Sequence, residues 1–177
     1  GDGDLDLFIG GSAIPGAFPN AARSYLLRND NRAGKMSFTD ITAQWNANLV
    51  NPGIITSAVF ATMQANGRQD LIIAGEWMPV RLFKNEGTRF SETSADAGLV
   101  HEGLWSALHI TDVNQDGRPD IIAGNVGNNL PFKASGAEPI SLYVTDIDDN
   151  GVDDVLFCYY IQGKNYPAAS RDELLDQ

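Results

Sequence analysis

The sequence predicts an all-β fold, part of a β-propeller of four-stranded antiparallel blades with about three blades present, and the start of a short helix at the C-terminus. Three observations carry this prediction. An acidic loop motif recurs along the chain, apolar residues alternate at period two on the segments entering it, and an Asn-centred hairpin motif follows it.

The loop motif sets the register of everything else. DVNQDGRPDIIAGN (Asp112 to Asn125) aligns with DIDDNGVDDVLFCY (Asp146 to Tyr159) and with TMQANGRQDLIIAG (Thr62 to Gly75). The opening GDGDLDLFIGG falls into the same frame, with Asp2 matching Asp116, Gly3 matching Gly117 and Asp6 matching Asp120. The common pattern is D-x-[DN]-x-[DN]-G-x-x-D followed by an apolar run. Oxygen-bearing side chains at loop positions 1, 3, 5 and 9, a backbone carbonyl at 7 and a glycine at 6 suit a hard cation that takes six to eight oxygens in flexible geometry, which favours calcium over magnesium.

The expected ligands are Asp112, Asn114, Asp116, the Arg118 carbonyl and Asp120 in one loop, and Asp146, Asp148, Asn150, the Val152 carbonyl and Asp154 in the next. Asp2, Asp4 and Asp6 form part of a further site, whose first ligands would precede residue 1. An EF-hand is excluded because position 12 is Ala123 or Phe157 rather than Glu, and because the flanks do not read as helices. Leu108 and Ile110 run in phase with Asp112, and Leu142 and Val144 with Asp146, so each loop joins two antiparallel strands. The Thr62 loop keeps Asp70 as its only carboxylate and is expected to be metal-free, its turn held by hydrogen bonds.

The hairpin motif follows. SYLLRNDNRAGKMSFTDITAQW (Ser24 to Trp45) resembles VRLFKNEGTRFSETSADAGL (Val80 to Leu99): a strand, a turn rich in Asn, Asp and Gly, and a strand beginning at Phe38 or Phe90. Strand, loop, strand and hairpin make one blade. The expected divisions are a partial blade at 1–45, a blade at 54–98, a blade with an irregular insert at 104–139, and a loop hairpin leading into the helix start at 140–177. In the third, GNVGNNLPFKASGAEP replaces a hairpin with a loop. At the end, Ser170-Arg171-Asp172-Glu173 reads as a capping box. A propeller closes with four to eight blades, so the chain is expected to be a fragment cut at both ends.

Composition narrows the partners. No apolar run approaches the roughly 20 residues that span a bilayer as a helix. The formal charge of -11 disfavours nucleic acid and acidic membrane. Much of that charge crowds into the loop windows, where like charges need a cation or free solvent. The single Cys158, in the apolar run VLFCYY, has no partner for an internal disulfide and reads as a buried, inert thiol.

Loops followed by LFIGG, LIIAGE and IIAGN, with LxxN hairpins ending in FTDIT, resemble the FG-GAP repeats of integrin-α propellers. They are most similar to the bacterial VCBS-type repeats found with UnbV-like and cartilage-acidic-protein-like proteins, and GEWMP and YYIQGKNYPAASRDELL resemble the secreted or cell-surface members. The resemblance implies a seven-bladed, calcium-stabilised propeller that is exported, often outer-membrane associated, and without established catalytic activity. The last loop aspartates Asp6, Asp70, Asp120 and Asp154 close up along the chain, and the final interval is too short for a standard blade.

Catalytic motifs are missing. His101 and His109 belong to no H-E-x-x-H pattern, there is no G-x-S-x-G elbow, and Asp153 beside Asp154 is a solvated neighbour of a ligand rather than half of an acid/base pair. Trp45, Trp77, Trp105, Tyr159, Tyr160 and Tyr166 fit blade packing, with a sugar-stacking platform as the alternative. The insert Asn125 to Pro139 is the best candidate for recognition, since long loops on rigid scaffolds carry binding. The expectation is an extracellular, cell-surface or periplasmic binding module for a protein or glycan, with Ca2+ as its cofactor and no enzymatic activity in this chain, the full-length protein being left open. The propeller part of a carbohydrate-active lyase or hydrolase, and a structural module carrying another domain, are the alternatives.

Overall fold

The computed structural model describes residues 4–32 and 35–170. Asp2 and residues 171–177 of the expected helix lie outside them. The described residues fall into two compact units, one formed by the residues up to Ile14 with Asn20–Asn125, the other by Pro15–Pro19 and the residues from Val126 onward.

The first unit opens with an antiparallel meander of β1 (Leu7–Ile9), β2 (Tyr25–Asn29) and β3 (Phe38–Asp40), in the register Phe8 to Leu26 and Arg28 to Thr39. After β3 comes a short helix, α1 (Thr42–Trp45), and a 3-10 turn at Ala47–Leu49. The next meander contains β4 (Ile54–Ala61), β5 (Asp70–Pro79), β6 (Arg81–Asn85) and β7 (Phe90–Glu92). This is the expected order of strand, loop, strand and hairpin, and its pairings are all antiparallel.

The third loop joins β8 (Glu102–Thr111) to β9 (Asp120–Asn125). Strand β8 begins by pairing with the far end of β5, Leu104 opposite Glu76 and Glu102 opposite Pro79. The register slips between Glu76 and Met78, where Trp77 adopts a φ of 58°. A bulky residue in the left-handed region is uncommon, and here it marks the bulge that redirects β5 from β4 to β8.

Strand β5 holds the unit together because both of its faces are apolar. Leu71 and Ile73 enter one core with Leu26, Ile41, Leu49, Phe83 and Phe90. Ile72 and Ala74 enter a second with Val80, against which Val59, Leu108 and Ile121 pack. Period-two alternation with apolar residues on both sides gives the continuous buried run seen from Asp70 to Gly75. Each fully buried Leu or Ile contributes about 1.5–3 kcal/mol. Gly75 permits the close approach of β4, since a Cβ there would stand 2.0 Å from the Ile54 carbonyl oxygen.

The second unit contains β10 (Ser141–Thr145), β11 (Asp154–Ile161) and β12 (Lys164–Pro167). Gln162 and Gly163, with φ of 51° and 77°, turn β11 into β12. Residues 126–140 contain no strand, only a 3-10 turn at Gly127–Asn129 and a closed turn in which Ser135 and Glu138 bond each other. Phe132 from this segment packs on β11, its ring centroid 5.3 Å from Phe157 and 4.3 Å from Tyr159. Cys158 alternates to the opposite face and is buried, which raises its thiol pKa.

Candidate metal centre

The Asp112 and Asp146 loops share one hydrogen-bond pattern, position by position. The carboxylate at position 1 accepts two backbone N–H groups: Asp112 from Asp116 and Gly117 at 3.1 and 2.8 Å, Asp146 from Asn150 and Gly151 at 3.1 and 2.8 Å. The side chain at position 3 accepts the N–H of position 5, at 3.0 Å for Asn114 and 3.1 Å for Asp148. The side chain at position 5 accepts the N–H of position 7, which is Arg118 or Val152, at 2.8 Å in both loops. The carboxylate at position 9 reaches back to the N–H of position 2: Asp120 to Val113 at 2.9 Å, Asp154 to Ile147 at 2.8 Å.

The backbone repeats as faithfully. Gln115 and Asp149 at position 4 have φ of 61° and 58°, and Gly117 and Gly151 at position 6 have φ of 82° and 85°. Both loops join strands whose last ladder pair is position 9 with the residue before position 1, Thr111 to Asp120 and Thr145 to Asp154. The ladder therefore fixes the two ends of the loop, and the side-chain bonds curl what lies between.

This curling gathers acceptors. One carboxylate oxygen from each of Asp146, Asp148 and Asp154 lies within 4.8 Å of the other two. Oxygens that share a cation at 2.3–2.6 Å can be no more than about 5 Å apart, so the three fit a common centre. Ion pairs among the described residues join Arg23 to Asp40, Arg28 to Asp30, Arg81 to Glu92 and Arg89 to Glu86, and none reaches these loop aspartates. The donor set is all oxygen, which suits calcium and not a softer metal.

The Thr62 loop has the same ladder, with Ala61 opposite Asp70, and the same bond from position 7 to position 5, Arg68 N–H to Asn66 at 3.0 Å. Its interior differs. The Gln64 side-chain amide donates to both oxygens of Asp70, at 3.3 and 3.2 Å, and the Asn85 N–H donates to Oδ1 at 2.7 Å. Asp70 is 1% exposed, so these bonds, rather than solvent, satisfy it.

Asp6 repeats one half of that arrangement. It accepts the Asn29 N–H at 2.9 Å, while Asn29 Nδ2 reaches the Leu5 carbonyl at 3.2 Å, as Asn85 Nδ2 reaches Gln69 at 3.0 Å. Asn29 and Asn85, the last residues of the LxxN strands, are thus partners of the final loop aspartate. The LxxN pattern signalled their existence but not that pairing, which closes over 23 residues in one case and 15 in the other. Asp4 is exposed beside Asp6.

The other candidate residues disperse. His101 is exposed, and His109 is exposed on β8 opposite Ile122. Trp45 packs against Phe90, ring centroids 5.2 Å apart and planes tilted by 56°, and Trp105 packs on the second core, while Tyr159 stands opposite Tyr166 on the sheet of the second unit. Asp153 is exposed.

Residues 63–123 match the family model of the FG-GAP-like repeat. The match runs from the Thr62 loop through β5 to β9, taking in the whole Asp112 loop. A search of curated proteins finds no match to the chain. Among the described residues no helix is long and apolar enough to cross a membrane.

Proposed function

We propose that the chain is part of an exported, calcium-stabilised β-propeller of the FG-GAP/VCBS kind that serves as an extracellular, cell-surface or periplasmic binding module for a protein or glycan. The observation that carries the reading is the shared hydrogen-bond pattern of the Asp112 and Asp146 loops, with the Asp146, Asp148 and Asp154 oxygens converging within 4.8 Å. The FG-GAP-like match and the four-stranded β4 to β7 meander support a propeller. Bound calcium would supply the positive charge that clustered carboxylates lack.

Asp112, Asn114, Asp116, Asp120 and the Arg118 carbonyl would hold one ion; Asp146, Asp148, Asn150, Asp154 and the Val152 carbonyl would hold the other. Asp2, Asp4 and Asp6 would contribute to a weaker third site. At millimolar calcium and a dissociation constant of about 10 µM, each occupied site would stabilise the fold by roughly 2.7 kcal/mol; at sub-micromolar calcium it would add almost nothing. That contrast supports an extracellular or periplasmic setting.

Thermal unfolding with and without calcium tests the reading. Calcium should raise the melting temperature, Asp120→Ala and Asp154→Ala should each diminish the rise, and Asp70→Ala should leave it intact. An equal response in all three variants would remove the loops as the site.

A further inference from the structure

The first compact unit holds a cleft of about 750 Å³ that the acidic loops of β8–β9 and β10–β11 do not account for. Trp45 and Phe60 line it over the buried Leu26, Ile41 and Phe90, and most of the rest of the lining is polar, with Arg68, Gln69 and Asn85 among it. Arg68 is exposed and has no carboxylate partner among the described residues, whereas Arg28, also in the lining, is bonded to Asp30 at 2.8 Å.

The Arg68 guanidinium lies over Gly87, where an added Cβ would come within 3.0 Å of Cζ and Nη2. The turn at Gly87, with a φ of 98°, favours glycine. Resting on an α-carbon leaves the guanidinium donors available, in a planar fork that fits a carboxylate bidentately.

We propose that this cleft binds a small amphipathic carboxylate, its aromatic or branched body against Trp45 and Phe60 and its carboxylate on Arg68. The volume lies within the range of small-molecule sites, roughly 300–1,000 Å³. Asp4 and Asp6 also line the cleft and oppose an anion, so the attraction must come from Arg68 and a polyanion is excluded.

Calorimetric titration of 4-phenylbutyrate and of the neutral 4-phenylbutyramide tests this. The acid should bind about tenfold more tightly than the amide, in keeping with one charge-assisted pair. Arg68→Gln should bring the acid down to the affinity of the amide while leaving the amide unchanged, and Arg68→Lys should restore only part of the preference. Binding should also change the emission of Trp45, a change lost in Trp45→Phe. No saturable heat with the acid up to about 10 mM, equal affinities for acid and amide, or an undiminished preference in a folded Arg68→Gln protein would each overturn the proposal.

Discussion

Asp70 and Asn85 tie the loop that opens β5 to the turn that closes β6. Oδ1 of Asp70 accepts the Asn85 N–H at 2.7 Å, and Asn85 Nδ2 returns a bond to the Gln69 carbonyl at 3.0 Å. Asp6 and Asn29 make the same exchange at 2.9 and 3.2 Å. The last loop aspartate thus fastens its hairpin through its own hydrogen bonds, which is a physical reason for Asp70 to stand in a loop where the other carboxylates are replaced.

Removing that carboxylate leaves part-buried donors unpaired. Asp70→Ala should strand the Asn85 N–H and the Gln64 amide, both of which point at the 1% exposed Asp70, at a cost of about 2 kcal/mol. Urea denaturation at fixed calcium measures the loss. A cost near zero would mean that the two donors find other partners.

The β4–β5 contact should be intolerant of a single methyl group. Gly75→Ala places a Cβ 2.0 Å from the Ile54 carbonyl oxygen and 2.7 Å from Met78 Sδ. Overpacking against backbone should destabilise the protein by about 3 kcal/mol, read from the denaturant midpoint. Gly67→Ala, where an added Cβ meets nothing within 4 Å, should cost less and only through its positive φ of 71°.

Stability should fall in mild acid through Glu92. Hydrogen bonds from Arg81, at 2.8 and 2.6 Å, hold its carboxyl below the ordinary value of 4.5. Because the folded pKa is depressed, the contribution is complete above pH 4.5 and is lost as pH falls through the lowered folded value. Arg81→Met should cost about 1 kcal/mol at neutral pH, allowing for solvent screening of a partly exposed pair. The difference from wild type should shrink in melts taken progressively below pH 4. A gap that stays constant with pH would point to packing of the Arg81 stem instead.

Much of this fold is legible in the residues, for local reasons. The loops are read from acceptor spacing, the hairpins from Asn and Gly turn chemistry, and the strands around Asp120 and Asp154 from period-two alternation. What escapes is non-local. The pairing of β8 with the end of β5 depends on a bulge at Trp77, and the sequence GEWMP carries no sign that a tryptophan will accept a φ of 58°. The α1 helix is equally hidden: TAQW follows a strand directly, and Thr42 is held by bonds of its N–H and hydroxyl to Asp40 at 3.0 and 2.5 Å rather than by a long apolar stripe. The ligand positions of the acidic loops follow from spacing. The amide of Gln64 taking both oxygens of Asp70 follows only from three-dimensional packing.

Calcium titration by calorimetry, run on the wild type, Asp120→Ala and Asp154→Ala, decides whether the acidic loops hold calcium. Saturable binding is expected at both the Asp112 and Asp146 loops, with each substitution abolishing the binding of one loop and sparing the other. Stoichiometry and affinity unchanged by both substitutions, or no calcium binding by the wild type, would contradict it.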